Sequence, residues 1–428
     1  MRVLWFSESP SLASRAVNVS GVGRGWIESL EEKLTQMDDI ELAIGFLNGA
    51  EKSGIRKFEI GNTKYYSIPN GKGKWKAHFD RHFTLFNDEK IIKHSLEIVE
   101  DFRPDIIQVF GTEDVFGLIA GKTNIPVIVH IQGLLTVYTR KWYSSGISKW
   151  DLIRRTPFKQ FLRANTLMHD FTYYRKRAKR EQKVFKAVNN YIGRTDWDRR
   201  VCKILSPDSR YFFGSEMLRK PFYEARWSKT PQSSKVLIST IQANIYKGLE
   251  TILETAAILK SNGKLEFKWL IAGITEGDPI VRLFEKKLNI SCKDNNIFLL
   301  GRLKSEDLLA QELSADVYVH PSHIDNSPNS VCEAMLLGMP VIATYTGGTG
   351  SLLEDGKEGI LIQDGDPYSL AGAILDIFGN FQLASQLGIN ARGRALKRHD
   401  PDTIVNDLVE VYNKVACFKK ETSALKVS

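Results

Sequence analysis

Two carboxylates flank a short Ser-Pro-Asn-Ser turn in the second half of this sequence. Asp325 lies before the turn and Glu333 lies after it, eight positions further along the chain. Ser327 can cap a helix that begins at Pro328, because a serine oxygen accepts from backbone amides and proline has no N–H to leave unbonded. The two acids are therefore expected on either side of a helix start.

The first free amides of such a helix are those of Asn329, Ser330 and Val331. They point along the positive end of the helix and favour an anion such as phosphate. Phosphate would be repelled by Asp325 and Glu333, so the acids fit a ligand with a diphosphate in its middle and hydroxyl-rich sugars at its ends. The alternative is that both are ordinary loop and surface acids.

Short apolar runs alternate with longer amphipathic stretches along all 428 residues. Runs rich in Val, Ile and Leu with helical patterns between them are typical of parallel sheets covered on both faces. Six lie in the first half and six in the second: RVLWFS, ELAIGFL, KYYSIP, DIIQVFG, PVIVHIQG, NNYIGRT, and then KVLIST, FKWLIAG, IFLLGR, VYVHPS, PVIATYTG and GILIQDG. The sequence predicts an α/β fold of two doubly wound, Rossmann-like domains that bind ligands at the carboxyl ends of their strands.

The stretch SEMLRKPFYEARWSKTPQSSK has little periodicity and a polar end rich in Pro and Ser, which indicates a domain boundary. We predict an N-terminal domain at 1–216, a C-terminal domain at 217–400, and a helix with a short tail at 401–428 that packs back toward the N-terminal domain. Asp400 can cap this last helix and Pro401 suits its first position.

Composition argues against several classes of protein. No run approaches the roughly 18 apolar residues that a membrane-spanning helix needs, and the start MRVLWFSESP is typical of a buried strand rather than a secretory signal. The four cysteines are far apart, which favours reduced thiols over disulfides or a zinc site. We therefore expect a cytoplasmic protein.

One segment carries the basic character of the chain. Residues 140–186 contain 14 Lys and Arg against three acids, a balance of 14 − 3 = +11, while the whole chain is +9. They belong to a basic aromatic insertion at about 135–186 in the N-terminal domain, whose cations and aromatics suit peripheral contact with an anionic membrane. A solvated helical face is the simpler alternative. Nucleic acid is not expected, because no known binding-module pattern occurs.

The region PSHIDNSPNSVCEAMLLGMPVIATYTGGTGSLLEDGKEGILI resembles family 4 of the retaining glycosyltransferases, which have the GT-B fold of two Rossmann-like domains facing a cleft. The hallmark of that family is two glutamates separated by seven residues, at the positions of Asp325 and Glu333. The matching positions are Pro321, Ser322, Glu333, Ala334, Met335, Gly338, Pro340, Val341, Ala343, Thr344, Gly347, Gly348, Asp355, Gly356 and Gly359. The likeness is greatest to bacterial members that build surface polysaccharides.

The resemblance implies how the C-terminal domain binds a nucleotide sugar. The second glutamate of the family bonds the ribose and a Lys-Gly pair contacts the diphosphate, which implies these roles for Glu333 and Lys247. Asp325 takes the place of the first glutamate, which contacts the donor sugar near the reacting carbon, and its reach is one methylene shorter. An arginine of the family is missing, since Ser239 and Thr240 occupy its neighbourhood. A solvated lysine is the alternative for Lys247.

Further contacts are implied for the N-terminal domain. A glycine loop before the first helix approaches the donor phosphates in the family, which implies this role for Gly23 and makes Arg24 a substitute cation. His130 ends a buried strand and is expected to face the cleft and contact the donor sugar, with a structural histidine as the alternative. Glu113 follows another strand and is either an acceptor or sugar contact or a helix-capping acid.

The function implied by the resemblance is that of a retaining, hexosyltransferase-type enzyme in surface polysaccharide biosynthesis. It would move a sugar from a nucleotide diphosphate sugar to a glycan on a lipid carrier, at the cytoplasmic face of the membrane. His320, His323 and Asp325 could suggest a metal site, but no metal or other cofactor is expected, because GT-B enzymes generally need none. The alternatives are an epimerase of nucleotide sugars with the same fold and an inactive protein that binds glycans or anionic surfaces.

Overall fold

The computed structural model describes residues 1–14, 16–17, 25–71, 74–155, 158–164, 166–230, 234–263 and 265–424. The strands in these ranges are β1 (Arg2–Ser7), β2 (Glu41–Asn48), β3 (Arg56–Ile60), β4 (Thr63–Pro69), β5 (Ile106–Phe110), β6 (Val127–His130), β7 (Asn190–Gly193), β8 (Arg210–Phe213), β9 (Lys235–Thr240), β10 (Phe267–Ala272), β11 (Ile297–Gly301), β12 (Val317–His320), β13 (Val341–Thr344) and β14 (Ile360–Ile362). The α-helices are α1 (Gly25–Leu34), α2 (Lys74–Phe83), α3 (Asp88–Phe102), α4 (Leu135–Tyr138), α5 (Lys149–Arg155), α6 (Phe158–Leu162), α7 (Leu167–Ala187), α8 (Asp196–Leu205), α9 (Lys220–Glu224), α10 (Leu249–Asn262), α11 (Pro279–Leu288), α12 (Ser305–Ser314), α13 (Asn329–Leu337), α14 (Pro367–Gly379), α15 (Phe381–Arg398) and α16 (Pro401–Ala424). None of these helices combines the length and apolarity that crossing a bilayer requires.

The first sheet has eight strands in the order β3-β4-β2-β1-β5-β6-β7-β8. Its strand pairs are parallel, except that β3 runs antiparallel to β4. The chain order reverses between β1 and β5, and the loops that leave these two strands diverge. A crevice at such a reversal is where sheets of this kind bind ligands.

The second sheet has six parallel strands in the order β11-β10-β9-β12-β13-β14. Its reversal lies between β9 and β12, where Val317 pairs with Leu237. Loops from the carboxyl ends of the two sheets touch, since the Asn326 side-chain amide donates to the Gln132 carbonyl oxygen at 3.1 Å. The prediction of two doubly wound domains that face a cleft is confirmed.

The sequence did not predict β3 and β8, which lie at the two edges of the first sheet. The residues of β3 are mostly exposed, and those of β8 are only half-buried. Strands with little buried surface have no continuous apolar run for a pattern to detect. The other twelve strands coincide with the twelve predicted runs.

The chain passes between the two sheets twice. In the first passage, Met217 packs in the core of the first sheet and Leu218 in a core of the second. The second passage leads into α16, whose Tyr412 hydroxyl accepts from the indole nitrogen of Trp5 in β1 at 2.9 Å. The apolar residues of α16 in the core of the first sheet are Ile404, Val405, Leu408, Val411, Tyr412 and Val415. The last helix therefore completes the first domain.

The segment after β6 joins the first domain to the second. Tyr138 and Trp142 share a hydrophobic core with Tyr246, and their ring centroids lie 5.4 and 5.9 Å from its ring. Lys287 of α11 lies 3.4 Å from Asp151 of α5. The start of the basic aromatic insertion is thus part of the contact between the domains.

Candidate active site

Lys247 and Asp325 meet at the carboxyl ends of β9 and β12. Lys247 ends a short 3-10 turn after β9 and is followed by Gly248, whose φ is +78°. A Cβ at Gly248 would lie 2.1 Å from the Pro321 carbonyl oxygen in the loop after β12, so only glycine permits this approach. The Lys247 ammonium thereby reaches Asp325 Oδ2 at 2.5 Å. The structure brings together the two residues that the sequence assigned to one site.

The Asp325 carboxylate has protein partners on both oxygens. His320 Nε2 lies 3.4 Å from Oδ2, on which Lys247 also bonds. Oδ1 accepts from the Asn326 amide at 3.2 Å and lies 3.5 Å from the Tyr138 hydroxyl of the first domain. Burial alone would raise the pKa of Asp325, but the charge of Lys247 and the nearby His320 hold it well below its usual range. Asp325 is therefore a carboxylate at neutral pH that fixes the lysine beside it.

Helix α13 begins at Asn329, close to the predicted start. Pro328 occupies the capping position, so Ser327 lies one residue too early to cap the helix as expected. The Val331 amide donates to the Pro328 carbonyl oxygen at 3.0 Å and is therefore not a free donor. Of the three amides predicted for an anion, those of Asn329 and Ser330 remain, and the prediction for Val331 is corrected.

Glu333 forms an ion pair with Arg219 that the sequence did not predict. Nε and Nη2 of Arg219 donate to the two carboxylate oxygens at 2.7 and 2.6 Å. The Glu333 side chain is 5% exposed and that of Arg219 is 26% exposed. Burial lowers the pKa of Arg219, but its hydrogen bonds to Glu333 outweigh burial and raise it. No sequence signal indicated this arginine, because it lies in the first passage between the sheets, where the chain has no regular pattern.

His130 ends β6, and its imidazole is buried inside the first domain. The ring lies 5.1 Å from that of Trp26 and 5.9 Å from that of Phe110, and neither ring nitrogen bonds a described residue. Burial and the charge of Arg194 lower its pKa to about 3, so the ring is neutral. No hydrogen bond or ion pair joins it to Asp325 within the described ranges. Its predicted contact with a donor sugar stays a prediction.

Glu113 lies in the loop that follows β5, beside the reversal point of the first sheet. Its carboxylate folds over Gly111, since a Cβ there would lie 2.8 Å from Glu113 Oε2. That oxygen is buried and bonds none of the described residues. The backbone oxygen of Glu113 accepts from Arg180 Nη2 at 2.9 Å. The carboxylate is thus held beside the crevice with one buried oxygen that no described residue bonds.

Part of the predicted basic surface is internal. Arg177 pairs with Glu8 at 2.6 Å and Arg180 pairs with Asp88 at 2.8 Å, and both arginine side chains are at most 13% exposed. These cations hold α7 against the loop after β1 and the start of α3, and they cannot also face lipid. The exposed basic residues of α7 are Arg175, Lys179, Lys183 and Lys186.

The histidines near Asp325 have separate surroundings. His323 lies between Glu250 and Asp364, with its ring nitrogens 2.5 and 3.1 Å from their carboxylate oxygens. Burial lowers the pKa of His323, but the two carboxylates outweigh burial and raise it. Because both nitrogens are engaged, His323 does not join His320 and Asp325 as a metal ligand.

One group of three ligand-type side chains in the described ranges, Glu216, Cys332 and His399, has its donor atoms within 4.8 Å of one another. Cys332 lies 3.4 Å from a carboxylate oxygen of Glu216, and His399 Nδ1 bonds the Glu216 backbone oxygen at 2.8 Å. Burial raises the pKa of Glu216, but Arg194 and neighbouring cations outweigh burial and lower it to about 2. Because a cation already neutralises the carboxylate, the group fits an internal hydrogen-bond network better than a metal site.

Gly23 and Arg24, predicted to approach the donor phosphates, lie outside the described residues, which resume at Gly25 at the start of α1.

Known proteins share the sequence pattern of the second domain and the fold of the whole chain. Residues 224–394 match the family Glycosyl transferases group 1. The capsular polysaccharide biosynthesis glycosyltransferase CapM of Staphylococcus aureus is 25% identical over 176 residues, 41% of this chain and 44% of that protein. The chain spans about two fifths of the length of the first curated relatives that it matches.

Solved structures that are similar over nearly the whole chain include two named here. Sucrose-phosphate synthase of Thermosynechococcus elongatus has a TM-score of 0.71 at 14% identity, covering 97% of this chain and 99% of that one. HepE of Anabaena, solved in complex with UDP-glucose, has a TM-score of 0.63 at 15% identity, covering 97% and 100%. The protein has the GT-B fold of glycosyltransferases. Its second domain carries the group 1 glycosyltransferase pattern.

Proposed function

We propose that the protein is a retaining glycosyltransferase that moves a hexose from a nucleotide diphosphate sugar to a glycan in surface polysaccharide biosynthesis. The observation that carries the proposal is the ion pair of Lys247 with Asp325 beside the start of α13, at the reversal point of the second sheet. A cation and free helix amides at one place suit a diphosphate. The group 1 pattern and the name of the capsular polysaccharide relative support the same class of reaction.

Transfer with retention breaks the bond between C1 of the sugar and the diphosphate oxygen while the acceptor oxygen bonds C1 from the same face. The acceptor proton passes to the leaving phosphate. Lys247 and the amides of Asn329 and Ser330 stabilise the charge that develops on the diphosphate, and no metal ion is required for this. Asp325 positions the lysine, and Glu333 accepts from the ribose hydroxyls.

The acceptor binds at the reversal point of the first sheet, where Glu113 offers a carboxylate oxygen to a sugar hydroxyl. Tyr138 contacts Asp325 from the opposite domain, so the two domains separate to admit the donor and close to exclude water. His130, at the carboxyl end of β6, contacts the donor sugar.

We further propose that the acceptor is linked to lipid and that the enzyme docks on the cytoplasmic face of an anionic membrane. Exposed apolar side chains of α2, α5 and α6 form the docking surface. They are Trp75, Phe79, Phe83, Trp150, Ile153, Phe161 and Leu162. The His82 ring lies 5.5 Å from that of Phe161, which places α2 and α6 side by side. Exposed Arg154 and Arg163 lie among these residues, where each cation near an anionic surface contributes about 1 kcal/mol.

Activity is tested by release of nucleoside diphosphate from a panel of nucleotide sugars with a bacterial glycolipid extract as acceptor. We expect turnover of one donor and its loss in Glu333→Ala, with Arg226→Ala, an exposed arginine, as the unaffected control. Conversion of a donor without acceptor would favour the epimerase. A folded protein that binds a glycan and turns over no donor would favour the inactive binding protein.

Docking is tested by flotation with phosphatidylcholine vesicles that contain or lack phosphatidylglycerol. We expect flotation only with the anionic vesicles, and its loss when Trp75, Phe79 and Phe161 are replaced by serine. The matched control replaces Ile204 and Tyr368, which are 79% and 75% exposed elsewhere on the surface. Equal flotation of both variants would refute the assigned surface.

A further inference from the structure

The described part of the cleft leaves one phosphate of a bound diphosphate without an obvious cation. The proposed function needs two negative phosphate groups to be stabilised, and Lys247 already neutralises Asp325 at 2.5 Å. Ser239 and Thr240 at the end of β9 supply no charge. Arg24, which the resemblance offered as a substitute cation, lies outside the described residues, so within those residues a second basic group has to come from another element.

Arg219 lies at the meeting point of two helix starts. Its guanidinium holds Glu333 in the second turn of α13. Its stem lies against Gly25, the first residue of α1, because a Cβ built there would lie 3.0 Å from Arg219 Cγ. The N-terminal ends of two helices carry partial positive charge, so an arginine between them adds to a potential that attracts anions.

The charges around Arg219 leave it with capacity for a further partner. Glu312 is fully buried near Glu333, and neither of its oxygens bonds a described residue. Burial raises the pKa of Glu312, and the nearby Glu333 raises it further, so both disfavour a second carboxylate charge beside the arginine. Each Glu333 oxygen accepts one bond from Arg219 and keeps a lone pair for a ribose hydroxyl. Nη1 of Arg219 bonds none of the residues that the structure describes.

We propose that Arg219 binds the donor diphosphate through Nη1 while its Nε and Nη2 hold Glu333 toward the ribose. This inference rests on the proposed function and names the residue that takes the place of the missing arginine. The Arg219 side chain then contacts the diphosphate directly and the ribose through Glu333. Because Arg219 belongs to the passage between the sheets, it also links donor binding to the relative position of the domains.

The test compares affinities for nucleoside diphosphates and for the matching nucleosides by calorimetry, with UDP, GDP, ADP and dTDP as probes. Wild-type protein is expected to bind one of the diphosphates. Arg219→Gln should weaken that diphosphate about tenfold to a hundredfold more than its nucleoside, since charged hydrogen bonds to phosphate are lost. Arg219→Lys keeps the positive charge but lacks the several N–H donors of the guanidinium. Its affinity for the diphosphate should lie between those of the wild type and Arg219→Gln. Arg226→Gln in the same passage is the control, and thermal unfolding checks that each variant is folded.

Glu333→Gln separates the two roles, because it should weaken nucleoside and diphosphate by the same factor. If Arg219→Gln also weakened both equally, the arginine would act only by positioning Glu333 and the inference would be overturned. If Arg219→Gln weakened neither, the inference would also be overturned, although the proposed function would stand. If wild-type protein bound none of the diphosphates, the proposed function and this inference would both fail.

Discussion

Asp325→Asn should destabilise the protein through the lysine that it leaves behind. The substitution keeps the side-chain volume but removes the charge that Lys247 pairs with at 2.5 Å. The two side chains are 13% and 15% exposed, so Lys247 would stay largely buried without a counter-charge. Breaking such a pair costs about 3 kcal/mol, which lowers the midpoint of thermal unfolding by about 6–12 °C for a domain of roughly 200 residues.

The assay is thermal unfolding at neutral pH combined with donor turnover. A matched control is available in Asp316, whose carboxylate lies 2.9 Å from the Lys229 ammonium with both side chains 12% exposed. Asp316→Asn should lose similar stability and keep its activity, whereas Asp325→Asn should lose both. A loss of stability in Asp325→Asn below about 0.5 kcal/mol, the range of an exposed ion pair, would refute the reasoning.

A double variant isolates the ion pair from the rest of the site. Lys247→Met removes the stranded ammonium, so Lys247→Met combined with Asp325→Asn should recover about 1–3 kcal/mol relative to the sum of the single losses. The double variant should remain inactive, because the diphosphate has lost its lysine. Recovery of activity together with stability would show that the pair serves the fold alone.

Three further predictions follow from single side chains. The pKa of His323 is raised in the folded state, so its contribution to stability is complete below about pH 6.5 and is lost as the pH rises through the raised pKa. In urea unfolding, His323→Gln should therefore lower the free energy of unfolding less at about pH 9 than at about pH 6. Gly347 has a φ of +53° and a Cβ there would lie 1.8 Å from the Asp325 carbonyl oxygen, so Gly347→Ala should lower thermal stability far more than Gly356→Ala, whose φ of +71° costs only about 1–2 kcal/mol in open space. Tyr412→Phe leaves the buried indole N–H of β1 without its acceptor and should cost about 1–3 kcal/mol in urea unfolding without loss of donor turnover.

Residues next to strand ends and helix starts were predictable from sequence. Lys247, Asp325 and Glu333 follow clear periodic segments, and parallel strands bring their carboxyl ends to one edge. Lys247 and Asp325 pair because they follow β9 and β12, which are neighbours in the second sheet. Local pattern and simple topology were sufficient there.

Side-chain direction and domain contacts were not predictable in the same way. A run such as that of β6 is apolar on both faces, so nothing in it tells which way His130 points. Arg219 reaches Glu333 because the adjoining helix α9 packs against α13 in a core of the second sheet. Counting cations likewise overstated the exposed charge of α7, since Arg177 and Arg180 pair with acids distant in sequence. Each of these contacts depends on tertiary packing.

The packing of α16 against β1 separates the order of synthesis from the order of folding. Strand β1 packs against α16, which begins at Pro401. The core around Trp5 therefore stays incomplete while the whole second domain is translated. At ribosomal rates of about 5–20 residues per second, the 184 residues of 217–400 take roughly 10–40 s. During that interval the nascent first domain exposes apolar surface to chaperones and to neighbouring chains. Docking of α16 on β1 therefore ends this exposure of the first domain.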